Sequence, residues 1–83
     1  DSSLSEEELT EIKAIVLSHS EIQGYHRLRT RKSGPTKEID VHINILEDYS
    51  LLEAHNICNN IEDEIKEVFP SSYVLIHAEP IKK

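Results

Sequence analysis

The stretch SGPTKEIDVHINIL, residues 33–46, joins a turn to a strand and decides the fold. Its first four residues, Ser, Gly, Pro and Thr, form a turn cluster. After the turn, large aliphatic residues alternate with polar ones, which is the pattern of a β-strand with one buried and one solvated face. The predicted buried face consists of Ile39, Val41, Ile43 and Ile45, and the polar face consists of Glu38, Asp40, His42 and Asn44.

The run before the turn, residues 25–32, is the partner strand of a predicted hairpin. Strict alternation along this run places alternate side chains on opposite faces. One face then carries His26, Leu28 and Thr30, and the other carries Arg27, Arg29 and Arg31. Residues 20–24 precede the run and are predicted to form a loop, with Gly24 as its turn residue.

A first helix is predicted over residues 3–19. Ser5 followed by Glu8 is a capping-box pattern, which marks a helix start. Apolar residues then recur at helical spacing and form one stripe. The stripe consists of Leu9, Ile12, Ile15 and Val16.

A second helix is predicted over Leu51–Val68. Ser50 and Glu53 repeat the capping-box pattern, and Pro70 ends the helix because proline cannot continue it. The predicted buried stripe consists of Ala54, Ile57, Ile61, Ile65 and Val68.

A last strand over residues 73–79, with Val74, Ile76 and Ala78 on its core face, completes the order α-β-β-α-β. Both helices can pack on one apolar sheet face, and the crossover through the second helix makes a parallel strand pair. We therefore predict an α+β fold, a two-layer sandwich of ferredoxin-like type with a three-stranded mixed sheet. Residues 1–83 are expected to form a single domain whose other sheet face is left uncovered.

The composition argues against several classes of function. The chain has nine basic and sixteen acidic residues, and its formal charge of −7 argues against nucleic-acid binding, which needs a basic surface. The single cysteine, Cys58, cannot form an internal disulfide, which is typical of a reducing compartment. No stretch approaches the roughly 18 consecutive apolar residues of a membrane span, and no signal peptide is recognisable. Because the sequence opens on Asp1 rather than Met, we expect it to be a piece of a longer protein.

Histidine and carboxylate side chains are predicted to gather on the uncovered sheet face. His77 and Glu79 point away from the core side of the last strand, because side chains alternate along a strand. His42 lies on the polar face of its own strand, so the two strands can present these three residues together. Two imidazoles and a carboxylate satisfy the ligand preferences of zinc. His55, on the second helix, could complete such a site only from elsewhere in the chain or from a partner.

Plainer interpretations of the same residues stay open. A surface histidine is most often a solvated polar group, and His19 at a helix C-terminus fits that description. No compact metal-binding spacing, such as C-x-x-C or H-E-x-x-H, is present. His55 and Cys58 stand at i, i+3 spacing, but a cysteine on a helix flank is usually a small buried hydrophobe, so no catalysis is predicted. The arginines of residues 25–32 are interpreted either as partners of local carboxylates or as a contact for the inner membrane surface.

Three segments in combination resemble a known family. They are YHRLRTRKSGPTKEIDVHINI (residues 25–45), SLLEAHNICNNIEDEIKEVFP (residues 50–70) and YVLIHAEP (residues 73–80). Together they resemble the cytoplasmic C-terminal domain of cation diffusion facilitator transporters, from Gly24 to Pro80. The resemblance implies the fold of that domain, which is similar to copper metallochaperones and agrees with the α-β-β-α-β order deduced from the sequence.

The resemblance also implies a function. Transporters of this family are homodimers that export divalent cations, and their C-terminal domains pair in the cytoplasm and bind metal near the dimer interface. The implied partners are a second copy of the chain and its own transmembrane domain, on the cytoplasmic side of the cell membrane. The implied ion is Zn²⁺, with Fe²⁺, Cd²⁺, Co²⁺, Ni²⁺ or Mn²⁺ as alternatives. The implied ligands, holding two neighbouring ions per subunit, are His26, His42, His55, His77 and Glu79.

The predicted function is that of a metal-sensing, dimerising regulatory domain of a divalent-cation efflux transporter, without enzymatic activity. The alternative is a dimerisation module whose histidines hold no functional metal. A soluble metallochaperone is less consistent with the sequence, because that class needs an exposed pair of cysteines and this chain has one.

Overall fold

The second strand lies at the centre of the fold. The computed structural model describes residues 3–82, in which the elements are α1 (Glu6–Leu17), β1 (Ile22–Ser33), β2 (Thr36–Leu46), α2 (Leu51–Val68) and β3 (Ser72–Ile81). β2 pairs antiparallel with β1 and parallel with β3, which gives a three-stranded sheet of order β1-β2-β3. The predicted order of elements and the mixed sheet are confirmed.

The core lies between this sheet and the two helices. The four aliphatic residues on the inward face of β2 are at most 3% exposed, as the alternation predicts: Ile39, Val41, Ile43 and Ile45. The helices add buried residues from one stripe each: Ile12 and Val16 from α1, and Ile57, Ile61 and Ile65 from α2. Burying a side chain of this size stabilises a fold by about 1.5–3 kcal/mol, so this aliphatic layer is the main stabilising feature. We call the other side of the sheet, which carries the polar residues of β2, the open face.

Capping boxes begin both helices as predicted. The Glu53 backbone N–H donates to the Ser50 hydroxyl at 3.1 Å, and the Ser50 N–H donates to the Glu53 carboxylate at 2.8 Å. Ser5 and Glu8 make the same two bonds at the start of α1, at 3.2 and 2.9 Å. These bonds satisfy N–H groups that have no acceptor within the helix.

Three local predictions differ from the structure. The first helix runs from Glu6 to Leu17 rather than from residue 3 to residue 19. Gly24 is a residue of β1 that pairs with Asn44, not a turn residue. Val68 is 42% exposed, because the helix ends there and the next residue, Phe69, is buried in its place.

A β-bulge in β1 changes which side chains face the helices. The pairing of β1 with β2 slips just after His26, and the next residue, Arg27, has a positive φ of 51°. One extra residue in a strand moves every later side chain to the opposite face. Leu28 therefore packs on the core and Thr30 pairs with a buried residue, whereas His26 pairs with His42 on the open face. The prediction that His26 shares a face with Leu28 and Thr30 is wrong for this reason.

Candidate metal centre

A row of three histidines crosses the open face. The strand registers place His26 of β1 beside His42 of β2, and His42 beside His77 of β3. The rings of His42 and His77 are stacked, with centroids 4.3 Å apart and planes 14° from parallel. The centroid of the His26 ring is 5.3 Å from that of His42. The prediction that His42 and His77 share this face is confirmed, and the bulge in β1 adds His26 to them.

Glu79 links two of these histidines. It follows His77 by two residues on β3 and so points to the same face. One carboxylate oxygen, Oε2, lies 2.5 Å from Nδ1 of His42, and the other, Oε1, lies 3.2 Å from Nε2 of His26. The hydrogen bond with His42 is the largest cause of a lowered pKa at Glu79. The carboxyl group is therefore ionised at neutral pH, which is the form that binds a metal.

Asp40 is a candidate ligand that the sequence reasoning missed. Its Oδ1 lies 3.0 Å from Nε2 of His77, but the two atoms do not form a hydrogen bond. This oxygen is shielded from solvent and accepts no hydrogen bond from residues 3–82. The side chain as a whole is 39% exposed, so the shielding is local to Oδ1. The alternation of β2 placed Asp40 on the polar face, but the register with β3 decides that it meets His77.

Among the described residues, the ligand atoms form two overlapping groups. One group is His26, His42 and Glu79, and the other is Asp40, His42 and His77. Within each group, one ligand atom per residue lies within 4.8 Å of the others, and all five side chains are half-buried. Ligand atoms around a tetrahedral zinc ion, bonded at about 2.0–2.1 Å, are about 3.3 Å apart. The His26–Glu79 and His77–Asp40 separations of 3.2 and 3.0 Å are close to that value, so these residues fit a metal ion.

The other two histidines lie apart from this row. His55 is exposed near the start of α2, in the helical layer, and belongs to neither group within the part of the chain that the structure describes. His19 follows α1, and its Nε2 lies 2.7 Å from Oε2 of Glu64. Its side chain is 16% exposed, so the interpretation of His19 as a solvated residue is wrong. Burial raises the pKa of the Cys58 thiol, which disfavours the thiolate that a nucleophile needs.

The half of the open face near the hairpin turn carries charged cross-strand pairs. Arg29 of β1 stands opposite Asp40 of β2, and Arg31 stands opposite Glu38. Opposite charges facing each other across an antiparallel pair stabilise a sheet by about 0.2–1 kcal/mol. Within residues 3–82 the structure describes no ion pair between these arginines and the carboxylates, so their pairing stays a prediction.

Comparison with known proteins relates the chain to the cytoplasmic domains of cation efflux proteins. The family described as the cytoplasmic domain of cation efflux proteins matches residues 4–81. The chain is 41% identical over 80 residues to the cation-efflux pump FieF of Shigella flexneri serotype 5b (strain 8401), and equally to FieF of Escherichia coli (strain K12 / DH10B). Each match covers 96% of this chain but 27% of the pump, so the chain spans about a quarter of the length of these relatives. Between residues 3 and 82, no helix is long and apolar enough to cross a membrane.

Solved structures share the fold. A structure of CzrB, a candidate zinc transporter, matches with a TM-score of 0.87 at 30% identity and covers 94% of this chain and 98% of its own. The metal-bound C-terminal domain of the CzcD transporter from Thermotoga maritima gives a TM-score of 0.82 at 26% identity, covering 93% and 94%. The predicted ferredoxin-like class and the resemblance to cation diffusion facilitator domains are confirmed. The chain belongs to the family of cytoplasmic domains of cation efflux proteins.

Proposed function

We propose that this chain is the metal-sensing and dimerising domain of a divalent-cation efflux transporter, and that the ion it senses is Zn²⁺. The observation that carries the proposal is the convergence of three imidazoles and an ionised carboxylate on a sheet face that has no covering helix among residues 3–82. Imidazole nitrogen and carboxylate oxygen are both zinc ligands. The relatives support this choice, since FieF is a cation-efflux pump and CzrB has been solved in a Zn form.

The ligand set proposed for each site comes from two chains. The metal on the open face of one chain is held by His26, His42, His77 and Glu79. His55 is exposed on the helical layer of the same chain, so it reaches a metal site from a second copy. A two-fold axis makes this exchange reciprocal, because each chain then lends its His55 to the other. Metal bound there supplies positive charge at the contact between the copies.

Charge explains how metal binding controls pairing. Each chain carries a formal charge of −7, so two copies repel each other. Ions held between them offset this repulsion and favour the paired arrangement, and pairing raises metal affinity by the same factor. In the whole transporter, we place this pair of domains on the cytoplasmic side of the membrane, attached to the transmembrane domain, to which it reports the metal level.

Zinc is expected to stabilise the isolated chain. At a free concentration of 100 times the Kd, a ligand that binds only the folded state adds about 2.7 kcal/mol to the free energy of unfolding. For a domain of this size, that corresponds to a rise in Tm of roughly 10–20 °C. Thermal unfolding with Zn²⁺, and then with EDTA in excess, measures the gain and its reversal. A dimerisation module without a functional metal site would show the same Tm in both conditions.

Mixing two variants tests whether His55 acts from the second copy. His55→Ala and Glu79→Gln each damage every site of their own homodimer, so each is expected to bind zinc weakly by calorimetry. In a mixed dimer, the His55→Ala chain keeps its own Glu79 and receives His55 from its partner, which restores one site of two. With random exchange, roughly a quarter of all sites should recover the wild-type affinity. If the mixture binds no better than the two variants measured separately, His55 is not a ligand supplied by the other chain.

A further inference from the structure

Arg27 adopts a backbone conformation that arginine rarely takes. Its φ of 51° lies in the left-handed region, which glycine adopts freely and in which asparagine and aspartate are enriched among the other residues. The conformation belongs to the bulge, because the register of β1 with β2 slips between His26 and Arg29. The bulge thus explains why the chain is left-handed at position 27, but it does not explain why an arginine stands there.

Local pairing does not explain this arginine either. The Arg27 side chain is exposed and makes no ion pair or hydrogen bond with the residues between 3 and 82. Its position is beside the metal ligands, because it follows His26 directly and its positive charge acts on the Glu79 carboxylate. The hydrogen bond with His42 is the largest cause that lowers the pKa of Glu79, and the charge of Arg27 lowers it further.

The charge of Arg27 opposes a cation at this place. Glu79 is already ionised at neutral pH, so a further stabilisation of its carboxylate makes no additional ligand available. The attraction between Arg27 and Glu79 is present with and without the metal, so it does not change the affinity. A Zn²⁺ ion held by Glu79 and His26 lies in the same field as the carboxylate, and the two positive charges repel each other. Only this repulsion enters the binding free energy, and it weakens binding.

We propose that Arg27 lowers the zinc affinity of the histidine row and so sets the cation level at which the sensor fills. The assignment rests on the proposed function, because without a zinc site on the open face there is no affinity for Arg27 to adjust. A positive charge within one Debye length of a divalent ion, about 10 Å at 0.1 M salt, is expected to weaken its binding by about 3- to 10-fold. A site built from strong zinc ligands can then respond to a rise in cation level instead of staying filled.

Titration calorimetry with Zn²⁺ on matched variants tests this role. Arg27→Gln removes the charge, and we expect it to bind zinc about 3- to 10-fold more tightly than wild type. Arg27→Lys keeps the charge, so its affinity should stay within about twofold of wild type. Arg31→Gln is the matched control, because Arg31 pairs with Glu38, which lies four residues, or about 13 Å, from His42 on β2. It changes the net charge of the chain equally, and its zinc affinity should also stay within about twofold of wild type.

Salt separates an effect of charge from an effect of the backbone. At about 1 M salt the Debye length falls to about 3 Å, so the tighter binding of Arg27→Gln should shrink to less than about twofold. A change in the conformation of the bulge would not be screened in this way. Tighter binding that persists at about 1 M salt would therefore come from the backbone and would overturn the proposal.

The outcomes keep the role of Arg27 apart from the proposed function. Wild type that binds no zinc overturns the proposed function, and the role of Arg27 with it. Equal zinc affinities of wild type and Arg27→Gln, or equal tightening in Arg31→Gln, overturn the role of Arg27 and leave the sensor in place. The same holds if Arg27→Lys binds zinc as tightly as Arg27→Gln. If Arg27→Gln does not fold, Arg27→Asn is titrated in the same way, because asparagine tolerates the left-handed region.

Discussion

Alanine in place of His42 is expected to abolish zinc binding on the open face. His42 belongs to both groups of ligand atoms, so its loss leaves two protein ligands in each. Removing a residue that only supports a ligand typically costs 10- to 100-fold in metal affinity, and removing the shared ligand should cost more than about 100-fold. Calorimetric titration with Zn²⁺ measures this loss, and the gain in Tm with zinc should disappear in the same variant.

His19→Ala is the matched control for this substitution. His19 also has a carboxylate partner, with Nε2 at 2.7 Å from Glu64, but it lies after α1 and away from the histidine row. The control therefore removes an imidazole and its contact with a glutamate while leaving the open face intact. Its zinc affinity should stay within about threefold of wild type. If folded His42→Ala kept the zinc affinity of wild type, zinc would not be bound by the histidine row, and the proposed site would be wrong.

The sequence predicts the fold well because its strongest signals are local. Alternation over residues 38–45 identifies the inward face of β2, and every aliphatic residue of that face is buried. The Ser50–Glu53 capping box and Pro70 bound the second helix, and the structure places it over Leu51–Val68 as predicted. Each of these signals depends on residues a few positions apart, so no knowledge of the tertiary structure is needed to interpret them.

The site is harder to predict because its geometry depends on registers between strands. Alternation alone puts His26 on the same face as Leu28 and Thr30, and only the bulge at Arg27 separates it from them and places it on the open face. The family resemblance nevertheless identified His26 as a ligand, because it matches residues to motif positions of the family and does not need the strand register to be known. Neither the alternation of β2 nor the family resemblance identified Asp40 as a metal ligand. Its meeting with His77 depends on the parallel pairing of β2 with β3, which joins residues far apart in the chain.

The core that supports the site should be sensitive to a single truncation. Ile61 lies at the middle of α2 with no exposed surface and belongs to the same core cluster as the inward residues of β2. Ile61→Ala is expected to cost about 2–5 kcal/mol, because the cavity it leaves can collapse only in part. A chain of this length has a total stability of roughly 4–12 kcal/mol, so the variant should be marginally folded. Leu52→Ala, on the same helix at a position that is 69% exposed, should change stability by less than about 0.5 kcal/mol.

Zinc should restore part of the stability that Ile61→Ala loses, without repairing the core. The substitution lies on one side of the sheet and the metal ligands lie on the other, and effects of separated sites on stability add. At 100 times the Kd, zinc should therefore return about 2.7 kcal/mol to the variant, the same gain as in wild type. Urea denaturation with zinc and with EDTA gives both values for both proteins. A zinc gain that vanishes in Ile61→Ala would mean that the cavity disturbs the strands themselves, because the row of His26, His42 and His77 exists only while their registers hold.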